Sequence, residues 1–352
     1  MNSNSISLKM RVWGATGSRC APLKSGDVRK KITKIFERLG EFGIDNLLDT
    51  YGKLDNGKVE KFLSSQPQSI IGTYKGNTTC IEIQAPDSPL IVIDVGNGAA
   101  DLGGELAKRK FVDKTGYNPL TTLYGNLIYI LCTHVHWDHI QGLPFFVPIF
   151  FSDSIINLVS RHNQRKSMEE TLRGQQEFPN FPVEFDDLPA MIDCSNELKR
   201  TAPPKVKIGT VEVIPVELSH PDGIFAYRLN NAGKSIVIAT DTEHRDIVDP
   251  RLVKLAGEAD ILYYDAQYTP EEYPSKIDWG HSTYEWAILT ALAANVKRVV
   301  LGHHEPTRDD FGIEEVFERA KVFKKEIIEK EPKYRERELE VIMAHDELEI
   351  SL

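Results

Sequence analysis

The seven residues Thr133-His134-Val135-His136-Trp137-Asp138-His139 follow directly on the apolar run Leu127–Cys132. That run is short and apolar, which predicts a buried strand rather than a helix. Alternation along an extended chain points His134 and His136 to one side, and Asp138 and His139 follow where the chain turns at the strand's end. Three imidazoles and a carboxylate this close together are costly to bury without partners. They are also the donor types that hold zinc, manganese or iron. An apolar strand delivering such donors to one point predicts a metal site at the strand's end.

The same arrangement recurs along the chain. Asp94 ends the run Leu90–Ile93, His220 follows Val211–Leu218, Asp241 follows Ile236–Ala239, and His303 follows Val299–Leu301. Any one of them has an ordinary explanation as a turn residue, a helix cap or a satisfied core group. Their joint placement at strand ends is what predicts a common site. Ile6, Leu8, Met10 and Val12 alternate with polar residues, and Cys80–Ile83, Ile224–Leu229 and Ile261–Tyr264 add further strands. Ile313, Val316, Phe317, Ala320, Phe323 and Ile327 share one helical face. Ser282 with Glu285 reads as a capping box opening a helix to about Ala294. The pattern predicts a mixed α/β layered fold, taken as a single domain over 1–352. Two segments read as insertions. The first, 23–75, carries an amphipathic helix through Val28, Ile32, Ile35, Phe36 and Leu39 and a shorter one around Val59, Phe62 and Leu63. The second, 152–200, is polar with scattered phenylalanines and prolines and reads as a lid or subunit interface.

Among the 352 residues, 42 Lys and Arg face 52 Asp and Glu, a net charge of −10. That excess argues against broad, non-specific binding to nucleic acid or an anionic membrane. A small anionic substrate stays compatible, because a metal ion reverses the local field. No apolar run approaches the ~18 residues needed to span a bilayer, and no secretory pattern opens the chain. The four cysteines form no CxxC pair and read as free thiols in a reducing, cytoplasmic compartment.

With these residues in place, the ordered set resembles the metallo-β-lactamase superfamily, with its HxHxDH signature and further ligand motifs, from the first strand to about Asp310 apart from 23–75. The resemblance implies a four-layer αββα sandwich with metals at one edge of its two sheets. Within the superfamily, Gly280-His281-Ser282-Thr283 and Val300-Leu301-Gly302-His303 resemble ribonuclease Z and the phosphoribosyl cyclic phosphodiesterases, and Asp265-Ala266-Gln267 stands where ribonuclease Z has an acidic residue. Carried over, the pattern makes His134, His136 and His220 ligands of one divalent ion, and Asp138, His139 and His303 ligands of a second. Asp241 would bridge the two, and Asp94 would orient a ligand by hydrogen bonding. Zinc, manganese and iron all suit this set.

His281 precedes the expected helix cap, where free backbone N–H groups favour a phosphate oxygen. It is expected to hold the phosphoryl group and protonate the leaving oxygen, with Asp265 setting its tautomer and Asp138 orienting the nucleophile. The function expected is hydrolysis of a phosphodiester, a small cyclic nucleotide or cyclic phosphate, by a hydroxide shared between two ions. The alternatives are a tRNA 3′-processing endonuclease of ribonuclease Z type, a lactone or thioester hydrolase, and a metal-stabilised binding or sensor module. Ribonuclease Z enzymes often carry a basic flexible arm; none is evident here, so nucleic acid is disfavoured as a partner. No membrane partner is expected, and pairing into a homodimer stays open.

Overall fold

The computed structural model describes residues 7–112, 126–161, 167–198, 205–244 and 246–352. In chain order its main elements are β1 (Lys9–Gly14), α1 (Ser25–Phe42), α2 (Asn56–Ser64), α3 (Gln68–Ile71), β2 (Cys80–Gln84), β3 (Leu90–Ile93), α4 (Gly98–Val112), β4 (Leu127–Leu131) and α5 (Trp137–Ile140). There follow β5 (Ile155–Arg161), α6 (Met168–Gln175), β6 (Met191–Leu198), β7 (Val206–Ile208), β8 (Val211–Leu218), β9 (Ile224–Asn231), β10 (Lys234–Ala239), α7 (Pro250–Ala256) and β11 (Ile261–Asp265). The chain closes with α8 (Tyr284–Ala293), β12 (Arg298–Gly302), α9 (Asp310–Lys330), β13 (Glu340–Met343) and β14 (Glu349–Ser351).

The strands form two seven-stranded sheets, ordered β14-β1-β2-β3-β4-β5-β6 and β13-β12-β11-β10-β9-β8-β7. Alternating side chains explain how they stack. Ile236 and Ile238 of β10 join Met10, Ile83, Ile93, Phe225 and Tyr263 in a core between the sheets. Val237 and Ala239 point the other way, against Leu252 of α7, Ile288 of α8 and Val316 of α9. On the outer face of the first sheet, Val92, Ile130 and Leu158 pack on Leu102 and Leu106 of α4 and Leu172 of α6. Helix, sheet, sheet and helix therefore make the four layers expected from the resemblance. Strands covered on both faces need continuous apolar runs, and this is why the runs were visible in the sequence.

Within the first sheet β3, β4, β5 and β6 are parallel neighbours, and within the second β10, β11, β12 and β13 are. The C-terminal ends of β3 and β4 thus lie together, as do those of β10, β11 and β12. The sheets are tied at that edge. The Tyr227 hydroxyl donates to the Cys132 carbonyl at 2.6 Å, and the Phe225 amide to the Thr133 carbonyl at 3.0 Å.

Two expectations change. Segment 152–200, read as an inserted lid or interface, also contributes β5 and β6 to the first sheet, where no strand was expected; its residues 162–166 and 199–200 lie outside the described residues. The alternation in Ile155–Arg161 was diluted by Asn157 and Ser160, which hid the strand. The N-cap of α8 is Thr283, not Ser282. Ser282 is instead held by tertiary bonds, its amide donating to Asp265 and its carbonyl accepting from the Tyr268 amide. The segment 23–75 holds α1, α2 and α3. It docks on α9 through the Lys31 ammonium, 2.6 Å from the Asp310 carboxylate. Among the described residues no helix is long and apolar enough to cross a membrane.

Candidate metal centre

The strand ends present the predicted side chains to one place, and the backbone bends sharply to do so. Asp94, Asp241 and His303 leave β3, β10 and β12 with φ of 58°, 49° and 57°. Left-handed backbone costs on the order of 1–3 kcal/mol at a non-glycine residue and persists where the surroundings hold it. The Asp94 carboxylate shows how: it accepts the Thr133 amide and hydroxyl, both at 2.7 Å, and faces His139 Nδ1 at 2.8 Å.

His134, His136 and His220 form one group of nitrogens, and Asp138, His139, Asp241 and His303 form another. Ring centroids in the first lie 4.4 Å (134 to 136), 4.7 Å (134 to 220) and 4.8 Å (136 to 220) apart. In the second, His139 Nε2 stands 3.3 Å from Asp138 Oδ2 and 3.2 Å from Asp241 Oδ2. His303 Nε2 stands 3.2 Å and 3.3 Å from the same two oxygens. A third overlapping group joins Asp241, Asp265, His281 and His303. His281 Nδ1 lies 2.8 Å from Asp265 Oδ2 and 3.5 Å from Asp241 Oδ1. All nine predicted site residues and Asp94 thus fall in one connected cluster.

Charge and burial oppose each other throughout. Burial would push the Asp138 and Asp241 carboxyls up, yet His139 and His303 hold both well below the usual carboxylate range. Burial would lower His139, but Asp241, Asp138 and Asp94 raise it well above an ordinary imidazole. Burial lowers His134 far below its usual value and His220 to about 4. At His281 burial is outweighed by Asp265, and the ring rises to about 9.

The donors fit a pair of divalent ions. Nε2 of His134 and His220 is buried without a hydrogen-bond partner, an expensive state for an imidazole nitrogen. Meanwhile Nδ1 of His134 and His139 faces Thr133 Oγ1 and Asp94, which would turn Nε2 toward the centre. His304, beside His303, lies apart from the cluster: its Nε2 faces the Ala344 carbonyl at 2.8 Å.

Three contacts were not foreseen. The Ser18 amide donates to Asp138 Oδ2 at 2.8 Å, Asp222 Oδ2 lies 3.3 Å from His136 Nε2, and Gln267 Oε1 lies 3.0 Å from His303 Nδ1. The first and last come from the stretches that leave β1 and β11. A cleft of about 1060 Å³ opens beside His220.

The four layers and the His/Asp cluster at their edge define a metallo-β-lactamase-type, metal-dependent hydrolase. The sequence agrees: residues 92–304 match the family model described as beta-lactamase superfamily domain, and the chain belongs to that family. It is 27% identical over 300 residues to the ribonuclease Z of Archaeoglobus fulgidus, covering 73% of this chain and 94% of that protein. In structure it is similar to the metallo-beta-lactamase fold protein YhfI from Bacillus subtilis, with a TM-score of 0.56 and 12% identity over 98% of this chain and 99% of the other. It is also similar to the short form of human tRNase Z, with a TM-score of 0.54 and 16% identity over 97% and 98%.

Proposed function

We propose that the protein hydrolyses phosphodiesters with two bound divalent ions, and that its substrate is a small cyclic nucleotide or cyclic phosphate. His134, His136 and His220 would hold one ion, Asp138, His139 and His303 the other, and Asp241 both. Such a pair supplies charge neutralisation at a phosphoryl group and acidifies water. Asp138 orients the attacking water. His281 stands at the same edge with Nδ1 against Asp265. That leaves Nε2 as the ring atom able to reach a phosphoryl oxygen and to give a proton to the leaving oxygen. This His281–Asp265 pair beside Asp241 is the observation that carries the proposal, because an alkoxide leaving group needs an acid close to the metal centre.

Substrate size follows from charge. The chain carries −10 overall. Among the described residues, the cleft beside His220 bears Glu217, Asp222, Glu243, Asp246, Asp249 and Asp278 against Arg251. A long polyanion meets an unfavourable field there, whereas a compact ester needs only the metal pocket. The likeness to ribonuclease Z along 94% of that relative favours a second reading, cleavage of precursor tRNA.

The test is one panel assayed on zinc- or manganese-loaded protein: bis-p-nitrophenyl phosphate, cyclic nucleotides, precursor tRNA, a lactone and a thioester. Turnover of the cyclic phosphates is expected. Cleavage of the tRNA alone supports the second reading, and hydrolysis confined to lactone or thioester overturns both. His281→Ala should lower diester turnover by ~10²–10⁴ with metal content unchanged. Undiminished turnover in that variant removes His281 from the chemistry.

A further inference from the structure

The amide of Gln267 is buried against the metal centre, with 2% of the residue exposed. Its Oε1 lies 3.0 Å from His303 Nδ1. Its Nε2 faces three oxygens: Glu305 Oε2 at 3.2 Å, Ser18 Oγ at 3.3 Å and the Tyr268 hydroxyl at 3.4 Å. A carboxylate accepts and does not donate, so Glu305 requires the NH₂ end of the amide on its side. The carbonyl end then faces His303. A carbonyl also only accepts, so the His303 ring proton must sit on Nδ1. Nε2 faces Asp138 Oδ2 and Asp241 Oδ2 at 3.2 and 3.3 Å, so with the ring neutral and its proton held on Nδ1 it would turn a lone pair to an ion seated among these groups. A competing acceptor, Asp265 Oδ2, is more distant from His303 Nδ1 at 3.5 Å and is engaged by His281.

We propose that Gln267, itself oriented by Glu305, is a positioning residue that fixes the tautomer of His303 and so presents Nε2 to the second ion. The inference rests on the two-ion reading above. The chain from Glu305 through Gln267 to His303 does for this imidazole what Asp94 does for His139, but with a neutral amide in contact.

The loop after β1 supplies an independent observation. A Cβ on Gly17 would stand 2.5 Å from His303 Nδ1 and 2.9 Å from Gln267 Oε1. The backbone therefore closes directly over the His303–Gln267 hydrogen bond, and only glycine leaves room for it. One residue further on, Ser18 has φ of 59° and its amide donates to Asp138 Oδ2. The same turn thus braces a carboxylate and an imidazole of one group.

Zinc titration against a chromophoric chelator, with a thermal melt of each metal-free variant, tests the proposal. The unsubstituted protein should take up two zinc ions. Gln267→Leu should melt normally without metal and bind the first zinc as before, but bind the second ~10–100-fold more weakly. The exchange Gln267→Glu with Glu305→Gln restores an acceptor facing Nδ1 with an amide behind it, and should recover the second site. Gly17→Ala, which pushes on the same hydrogen bond, should weaken the second site in the manner of Gln267→Leu. Two tight zinc ions in Gln267→Leu, or an exchange variant as weak as Gln267→Leu, overturns the proposal while leaving the two-ion reading intact. Fewer than two zinc ions in the unsubstituted protein overturns both. If Gln267→Leu fails to fold, Gly17→Ala and the exchange variant decide by the same criteria.

Discussion

Asp94 is the residue on which most of the site's order depends. Its two oxygens face three donors, the Thr133 amide and hydroxyl and His139 Nδ1. Thr133 Oγ1 in turn lies 3.1 Å from His134 Nδ1. One buried carboxylate thus aligns an imidazole from each half of the centre. Asp94→Ala should weaken zinc binding by ~10–100-fold. It should also cost about 1–3 kcal/mol for each buried donor left unpaired, read by denaturant unfolding. A variant that keeps both zinc affinity and stability would remove Asp94 from this role. At this scale the sequence was generous. His134, His136, Asp138 and His139 stand within one short stretch after an apolar strand, so their convergence is nearly local. Gln267 and Ser18 were not legible as supports, because a glutamine or a serine amide acquires that meaning only from a neighbour distant in the chain.

At the level of elements, the segment 23–75 is held by an unusual anchor. The Lys31 ammonium sits 2.6 Å from Asp310 and donates to the carbonyls of Ser69 and Gly72, and it binds α1 to both α3 and α9. Asp310 also accepts the Tyr74 amide at 2.8 Å. Both side chains of the ion pair are nearly inaccessible, at 10% and 1%. Removing one partner strands the other charge, which costs on the order of 3–5 kcal/mol, whereas removing both costs far less. Lys31→Met should therefore destabilise by that order and open 23–75 to limited proteolysis. Adding Asp310→Asn should restore much of the loss. Equal instability in the single and double variants would show that packing, not the buried charge, holds the segment. The apolar spacing of α1 was readable, but the anchor was not, because a lysine within a helical pattern reads as solvated. The strands β5 and β6 escaped notice for a related reason: Asn157 and Asp193 broke apolar runs whose partner strands were not yet known.

For the molecule as a whole, acidity offers a test away from the metal centre. Asp346 precedes β14 and accepts the amides of Ala15 and Asn77 at 3.1 and 3.0 Å. Burial outweighs these bonds and pushes its carboxyl up to about 7, against an ordinary value of about 3.9. Between these values the folded chain keeps a proton that the unfolded chain has released. Its contribution to stability is therefore complete below about pH 4 and is lost as the pH rises through about 7, on the order of 4 kcal/mol in all. Asp346→Asn titrates nowhere in that window, so its stability relative to the unsubstituted protein should climb as pH rises from 4 to 7. A constant difference across the range would refute the assignment. Metal should act on the whole fold as well. Ions at 1,000 times their dissociation constant stabilise by about 4.1 kcal/mol per site. Chelation should accordingly lower the melting temperature, and added zinc should restore it; a melt indifferent to chelator would contradict a structural share for the ions.

The sequence by itself determined the layered α/β class, the strands covered on both faces and the donors destined for one edge. Each is written in local periodicity: apolar runs answer to burial, and polar residues at their ends answer to the turn that follows. Only the tertiary structure decided which donors meet, which oxygen takes which proton, and that Thr283 rather than Ser282 caps α8. Those outcomes depend on contacts between β1, β4, β10, β11 and β12, elements remote along the chain. Propensity and spacing act over a few residues, whereas a tautomer or a cap is settled by the atom that happens to lie within hydrogen-bond reach.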